Sequence, residues 1–171
     1  MMSKAIESFK AQLEEQRKHW DIDDILDYAL ALSDRTEFGC PAITSKKTDI
    51  CMYFFELVIN KELEGVPASL LEAFEESLVW DCRGPIPLSN KIWDALSLST
   101  YTGMFYLNSY FNTGAYCMKP SMAEHLLAKE KYQTLDDEGK SFLQKVADEL
   151  SVGSGFWDDF CPDLTPPYQR R

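Results

Sequence analysis

The chain is poor in histidine, in paired cysteines, in long apolar runs and in positive charge, and each shortage removes a class of function. His19 and His125 are the two histidines in 171 residues. With no H-x-H and no H-E-x-x-H, zinc chemistry that needs several imidazoles lacks its ligands. Cys40, Cys51, Cys82, Cys117 and Cys161 are odd in number, widely spaced and contain no C-x-x-C pair. Such usage fits reduced thiols in a cytosol better than a disulfide framework. A Cys–His nucleophile pair has no sequence support, and a buried structural cysteine is the commoner role. No window approaches the roughly 18 uninterrupted apolar residues of a membrane span. The richest, residues 50–59, is interrupted by Glu56. The opening "MMSKAIESFKAQLEEQRK" carries charge throughout and lacks the apolar core of a signal peptide. A cytoplasmic location is expected.

Lysine and arginine number 17 against 28 aspartates and glutamates, for a net charge of −11. A surface of that sign repels phosphate, so neither nucleic acid nor an anionic membrane is an expected direct partner, whereas a basic protein is attracted. Plain solubility is the competing explanation. The usual phosphate cradles, G-x-x-x-x-G-K-[ST] and G-x-G-x-x-G, do not occur. "VGSGF" lacks the spacing of a nucleophile elbow. No catalytic residue, metal ligand or cofactor is assigned.

What the chain does have is a core. Its apolar content is 45% with 22 aromatics, which argues against global disorder. A chain of this length suits one domain that buries about 70% of its unfolded surface. Helical spacing dominates. Ile6, Phe9 and Leu13 predict a helix over 3–19, with Trp20 a further seven on. Asp21 is placed to cap a second helix. Ile22, Ile25, Leu26, Ala29, Leu32 and Ser33 project into one arc of about 120°, and Asp23, Asp24, Asp27, Ala31 and Asp34 into the opposite one. Residues 49–63 are apolar nearly all round, as expected of a helix at the centre of a bundle; a strand is the alternative. Gly65 and Pro67 mark a stop and a start before a helix over 67–82. Pro85 and Pro87 rule out regular structure in 83–90, after which Ser89 is placed to cap a helix. Residues 97–118 are ambiguous and read as helix broken at Gly103, with a small β-hairpin as the alternative. Ser121 and Glu124, then Thr134 and Asp137, have the spacing of helix starts. The expected architecture is all-α: a single helical domain over 1–151, of six to seven helices. An irregular tail over 152–171 has Phe156, Trp157 and Phe160 as aromatic anchors.

The acids are unevenly distributed. Residues 20–40 hold six acids and one base, 67–82 four acids and no base, and 83–120 three bases and one acid. Nine of the eleven net charges therefore fall on two short segments. The stretch "HWDIDDILDY" invites a metal reading, but it fails as a calcium loop. Counting from Asp21, positions 5, 6 and 12 are Ile25, Leu26 and Leu32. Placing Gly139 at position 6 likewise puts Lys145 at position 12. Asp23 and Asp27, one turn apart, remain a weak magnesium pair. First-turn carboxylates stabilise a helix by about 0.3–1 kcal/mol each, which accounts for Asp23 and Asp24 but not for Asp27 or Asp34.

These features favour a small acidic inhibitor that neutralises a basic partner, a toxin or nuclease, in the manner of an immunity protein or antitoxin. Its expected contact residues are Asp23, Asp24, Asp27, Asp34, Glu72, Glu75 and Glu76, provided the two acidic helices are neighbours. The alternatives are a phage- or plasmid-borne DNA mimic that blocks a nuclease or restriction system, a carboxylate-based metal-dependent hydrolase, and an adaptor. The adaptor would use aromatics of 97–118 (Tyr101, Phe105, Tyr106, Tyr110, Phe111), which are more commonly core.

Overall fold

A computed structural model of the chain describes residues 6–12, 19–36, 39–60, 63–75, 78–108 and 114–152. These residues are mostly helical, with eight helices and one small antiparallel sheet. Residues 6–12 form α1. It is followed by α2 (Ile22–Leu32), β1 (Ala42–Thr44), α3 (Lys47–Ile59), α4 (Ala68–Glu75) and α5 (Asn90–Tyr101). Then come β2 (Tyr106–Asn108), β3 (Ala115–Cys117), α6 (Pro120–Ala128), α7 (Glu130–Gln133) and α8 (Asp137–Leu150). The helical expectation holds in the main, and the sheet adds strands that the all-α reading allowed for only as a hairpin within 97–118. The strand order is β1-β3-β2, with Ala42 and Tyr106 both opposite Cys117.

The sheet resolves the ambiguity in 97–118. Helix α5 stops at Tyr101, Gly103 takes a positive φ of 77°, and β2 and β3 pair as a hairpin. A helix through this segment would have needed Gly103 in its interior, where glycine is disfavoured by about 1 kcal/mol. The third strand comes from the stretch between the helix capped at Asp21 and α3, where Gly39 and Pro41 punctuate the chain. Ala42 and Ile43 are fully buried, and Ile43 and Tyr116 face the main core while Ala42, Ala115 and Cys117 form a small second cluster. Backbone pairing continues beyond β1, where Met118 N–H donates to Pro41 (3.2 Å) and Val152 N–H to Ala42 (3.2 Å).

The centre of the fold is α2, not α3. Helix α2 packs on α8, α6 and α5. Ile22, Ile25, Leu26, Tyr28, Ala29, Leu30 and Ala31 are all buried, although Tyr28, Leu30 and Ala31 lie outside the predicted apolar arc. The short side chain of Ala31 lets neighbouring helices close over the polar side. Helix α3 is the more peripheral one. It buries Ile50, Cys51, Phe54 and Leu57 but leaves Ile59 55% exposed. Its helical rather than extended conformation is as expected. Helix α1 lies outside the packed interior, with Ile6 and Phe9 exposed, whereas Trp20 is buried as the heptad spacing suggests.

The helix ends show which signals the chain uses. Asp21 caps α2 through a reciprocal box with Asp24: the Asp24 N–H donates to Asp21 Oδ1 at 3.0 Å and the Asp21 N–H to Asp24 Oδ2 at 3.2 Å. Ser89 precedes α5 but makes no side-chain cap bond. Helix α6 starts at Pro120 without a side-chain cap, so Ser121 lies inside the helix rather than capping it. Helix α8 is capped by Asp136, whose carboxylate accepts from Gly139 N–H at 2.8 Å, not by Thr134. Asp has the same capping chemistry as Thr and sits two residues nearer the stripe. The segment expected to be irregular, 83–90, is so through Ser89, closed by a bridge between Asp81 and Leu88, and Asn90 already belongs to α5. Helix α4 is described only to Glu75, so Leu78 and Cys82 do not continue its stripe as helix.

Gly139 yields a prediction against the usual trend. Alanine normally exceeds glycine in a helix by about 1 kcal/mol. Here an added Cβ would meet Leu135 Cγ at 2.6 Å and the capping Asp136 Oδ1 at 3.0 Å. Gly139→Ala is therefore expected to destabilise by about 1–3 kcal/mol, seen as a lower urea midpoint with an unchanged slope.

Candidate functional site

The aspartates of α2 do not form an open ridge. Helix α5 closes over one flank and α7 over the other. Asp23 pairs with Lys91 of α5 at 3.7 Å, and Asp24 with Lys131 of α7 at 2.6 Å. Lys131 also donates to the His19 carbonyl at 2.6 Å and lies 5.1 Å from the centre of the Trp20 ring. Asp27, between them, accepts from the Ser99 hydroxyl of α5 at 3.1 Å. All three carboxylates are half-buried, and burial is the main reason each is pushed above the ordinary aspartate range. For Asp27 burial pushes the carboxyl up to about 7, opposed by the Ser99 bond and reinforced by Asp24, Asp23 and Asp21. The outward-facing expectation for these three residues is thus corrected. Each is engaged with a neighbouring helix, although Asp23 Oδ1 is buried with no hydrogen-bond partner among the described residues. Among the described residues, no group of three or more His, Cys, Asp or Glu side chains is arranged to hold a metal ion.

Of the remaining predicted contact residues, Asp34 and Glu72 lie at opposite ends of α2. Asp34 is exposed beyond the end of α2, where its N–H donates to Ser151 Oγ at 3.1 Å. Glu72 on α4 is exposed and pairs with His19 Nδ1 at 3.2 Å, which brings it near the start of α2. The rest of α4 turns elsewhere, with Phe74 against Phe54 of α3 and Phe142 of α8. The Glu75 side chain and Glu76 lie outside the described residues, as do Leu13, Tyr110, Phe111, Phe156, Trp157 and Phe160. A separate open groove of about 600 Å³ is lined by Glu64, Val66, Asp137, Glu138 and Phe142. Asp137 and Glu138 there are first-turn acids of α8, where the helix dipole accounts for them.

The most unusual surface is apolar. On α5, Ile92, Ala95, Leu96 and Ser99 face inward. Trp93, Asp94, Ser97, Leu98 and Tyr101 fall on the opposite side within about 140°. Tyr101 is 90% exposed, Leu98 54% and Trp93 39%. After the turn at Gly103, Tyr106 and Leu107 of β2 are also exposed, while Phe105 between them and the turn is buried. The Lys47 ammonium lies 4.6 Å from the centre of the Trp93 ring. Sequence reasoning named Tyr101 and Tyr106 but gave them to the core. The missed signal was the inward stripe Ile92–Ala95–Leu96–Ser99, which forces residues 93, 97, 98 and 101 outward. Comparison with known proteins finds no matching family model, no matching characterised protein and no matching solved structure.

Proposed function

We propose that the protein is a cytoplasmic binding protein that neutralises a basic partner by direct contact, as immunity proteins and antitoxins do, and that it docks through the outward face of α5 together with β2. The observation that carries this reading is the exposed set Trp93, Leu98 and Tyr101 on one side of a helix whose other side is fully packed. Aromatic anchors of this kind supply most of the affinity where interfaces form. The net charge of −11 supports a basic partner, because complementary charge speeds encounter even where it adds little affinity. Exposed Asp34 and Glu72 contribute to that field without forming the epitope. The α2 aspartates lend no support to a metal-dependent hydrolase or to a regular phosphate-like ridge, since their geometry is that of helix-to-helix contacts.

The test is capture from the native host by the wild-type chain and by Leu98→Ala/Tyr101→Ala. Both replaced side chains are largely exposed, so stability is expected to stay within about 0.5 kcal/mol. A basic protein recovered by the wild type and retained at least tenfold more weakly by the double variant is the expected result. Charge reversal at Asp34 and Glu72 is expected to slow association and reduce its salt dependence while sparing the complex. Equal retention by the double variant would sink the proposed face.

A further inference from the structure

The polar face of α2 holds more carboxylates than cations. Asp23 and Asp24 each have a lysine, Lys91 and Lys131, whereas the partner of Asp27 is the Ser99 hydroxyl. Ser99 is buried in the α2–α5 contact, so the surplus charge lies in the seam between the two helices. The charged and titratable groups that face this seam are known from each packed element. Helix α5 contributes Lys91 and Asp94, both acting on Asp23. Helix α7 contributes Lys131, with Tyr132 stacked 5.6 Å from Tyr28. The buried residues of α6, Ala123 and Leu126, and those of α8 carry no charge. Within α2, Asp21, Asp23 and Asp24 repel a charge on Asp27, and the Tyr28 hydroxyl is buried with no hydrogen-bond partner among the described residues.

We propose that the α2–α5 seam is a proton-operated clasp: a proton held at Asp27, whose carboxyl also accepts from the Ser99 hydroxyl, removes the surplus negative charge and seats α5 on α2, and its release to solvent loosens α5. A seam of carboxylates with one hydroxyl partner and too few cations favours the neutral acid. The Asp27 carboxyl is accordingly pushed up to about 7, chiefly by burial. The sign follows from linkage. Between the ordinary aspartate range near 4 and this raised value, the folded chain holds a proton that the unfolded chain has lost. Stability therefore falls as pH rises through that window and is level with respect to Asp27 above it. Helix α5 also carries Trp93, Leu98 and Tyr101. Control of docking by the clasp rests on the binding role given to that face, but the clasp itself does not.

The full chain tests the clasp without any partner. The ¹³C carboxyl resonance of Asp27, identified by its loss in Asp27→Asn, is expected to titrate near pH 7. In Ser99→Ala, which loses the donor that favours the anion, the midpoint should move higher. Amide exchange in α5, corrected for intrinsic rates, should quicken about tenfold between pH 5 and pH 8 in the wild type and not in Asp27→Asn. An Asp27 midpoint in the ordinary aspartate range overturns the proposal. So does a midpoint near 7 with equal α5 protection at both pH values. Should Asp27→Asn fail to fold, selective labelling of aspartate in the wild type and Ser99→Ala still decides it.

Discussion

Phe54→Ala is expected to destabilise the fold by about 3–5 kcal/mol, a large part of the total stability of a domain this size. The side chain is fully buried on α3. Its ring lies 5.6 Å from Phe74 on α4, and Phe74 lies 5.9 Å from Phe142 on α8, the latter pair edge-on. Three helices are thus joined through one line of rings. Truncating the first ring removes its own transfer free energy and leaves a cavity against Phe74. That helix spans eight described residues and holds the core through Leu70, Ala73 and Phe74. Thermal unfolding should drop by roughly 6–20 °C, at 2–4 °C per kcal/mol for a chain this long. Ile59→Ala, five residues farther along the same helix and 55% exposed, is the control, expected within about 0.5 kcal/mol of wild type. Equal effects from the two substitutions would mean that α3 is seated differently.

The contrast between Phe54 and Ile59 shows where sequence reasoning stops. Local chemistry was legible: the Asp21 cap, the helical choice for α3 and the Gly103 break all follow from residues within a few positions of one another. Burial depended on neighbours. Helices α2 and α3 are about equally apolar, with 8 of 11 and 9 of 13 residues, yet α2 is the central element, because burial follows what packs on a helix rather than its own composition. Ala31 carries this difference. On a helical wheel it sits among aspartates and reads as surface, but its small side chain admits neighbours close enough to bury Tyr28 and Leu30 on the flanks. The aspartates then change meaning. Asp23 and Asp24 find lysines 68 and 107 positions away in sequence, and Asp27 finds a serine 72 away. No periodicity encodes such partners. The hairpin within 97–118 was legible as an alternative, but the third strand failed to show for the same reason. A three-residue strand such as Ala42–Thr44 is specified by Cys117 across the ladder rather than by its own pattern. The exposed face of α5 was recoverable, since its inward stripe is as regular as that of α8.

Lys131→Met is the decisive substitution for the corrected view of α2, with an expected loss of about 2–3 kcal/mol. Methionine keeps the aliphatic stem over Trp20 and removes the charge. The side chains of Lys131 and Asp24 are only 17% and 26% exposed, so water replaces the ammonium poorly, and the Asp24 carboxylate is left facing Asp21 and Asp27. Complete burial would place such a loss near 3–5 kcal/mol; residual exposure lowers it. The bond from Lys131 to the His19 carbonyl at 2.6 Å goes as well, which frees the approach to the α2 cap. Pairing Lys131→Met with Asp24→Asn separates the contributions. Asparagine retains an acceptor for the Asp21 N–H but carries no charge, so the double variant should regain about 1–2 kcal/mol over Lys131→Met alone. The penalty should also depend on pH. Lys131 holds the Asp24 carboxyl down against burial, and without it Asp24 takes up a proton more readily. Destabilisation by Lys131→Met is therefore largest above neutrality and shrinks as pH falls and Asp24 becomes neutral. A surface ion pair would behave otherwise, with a loss under 1 kcal/mol that salt erases. Urea unfolding of the four chains of this cycle at two pH values and two salt concentrations distinguishes an aspartate built into the helix packing from one left at the surface for a partner.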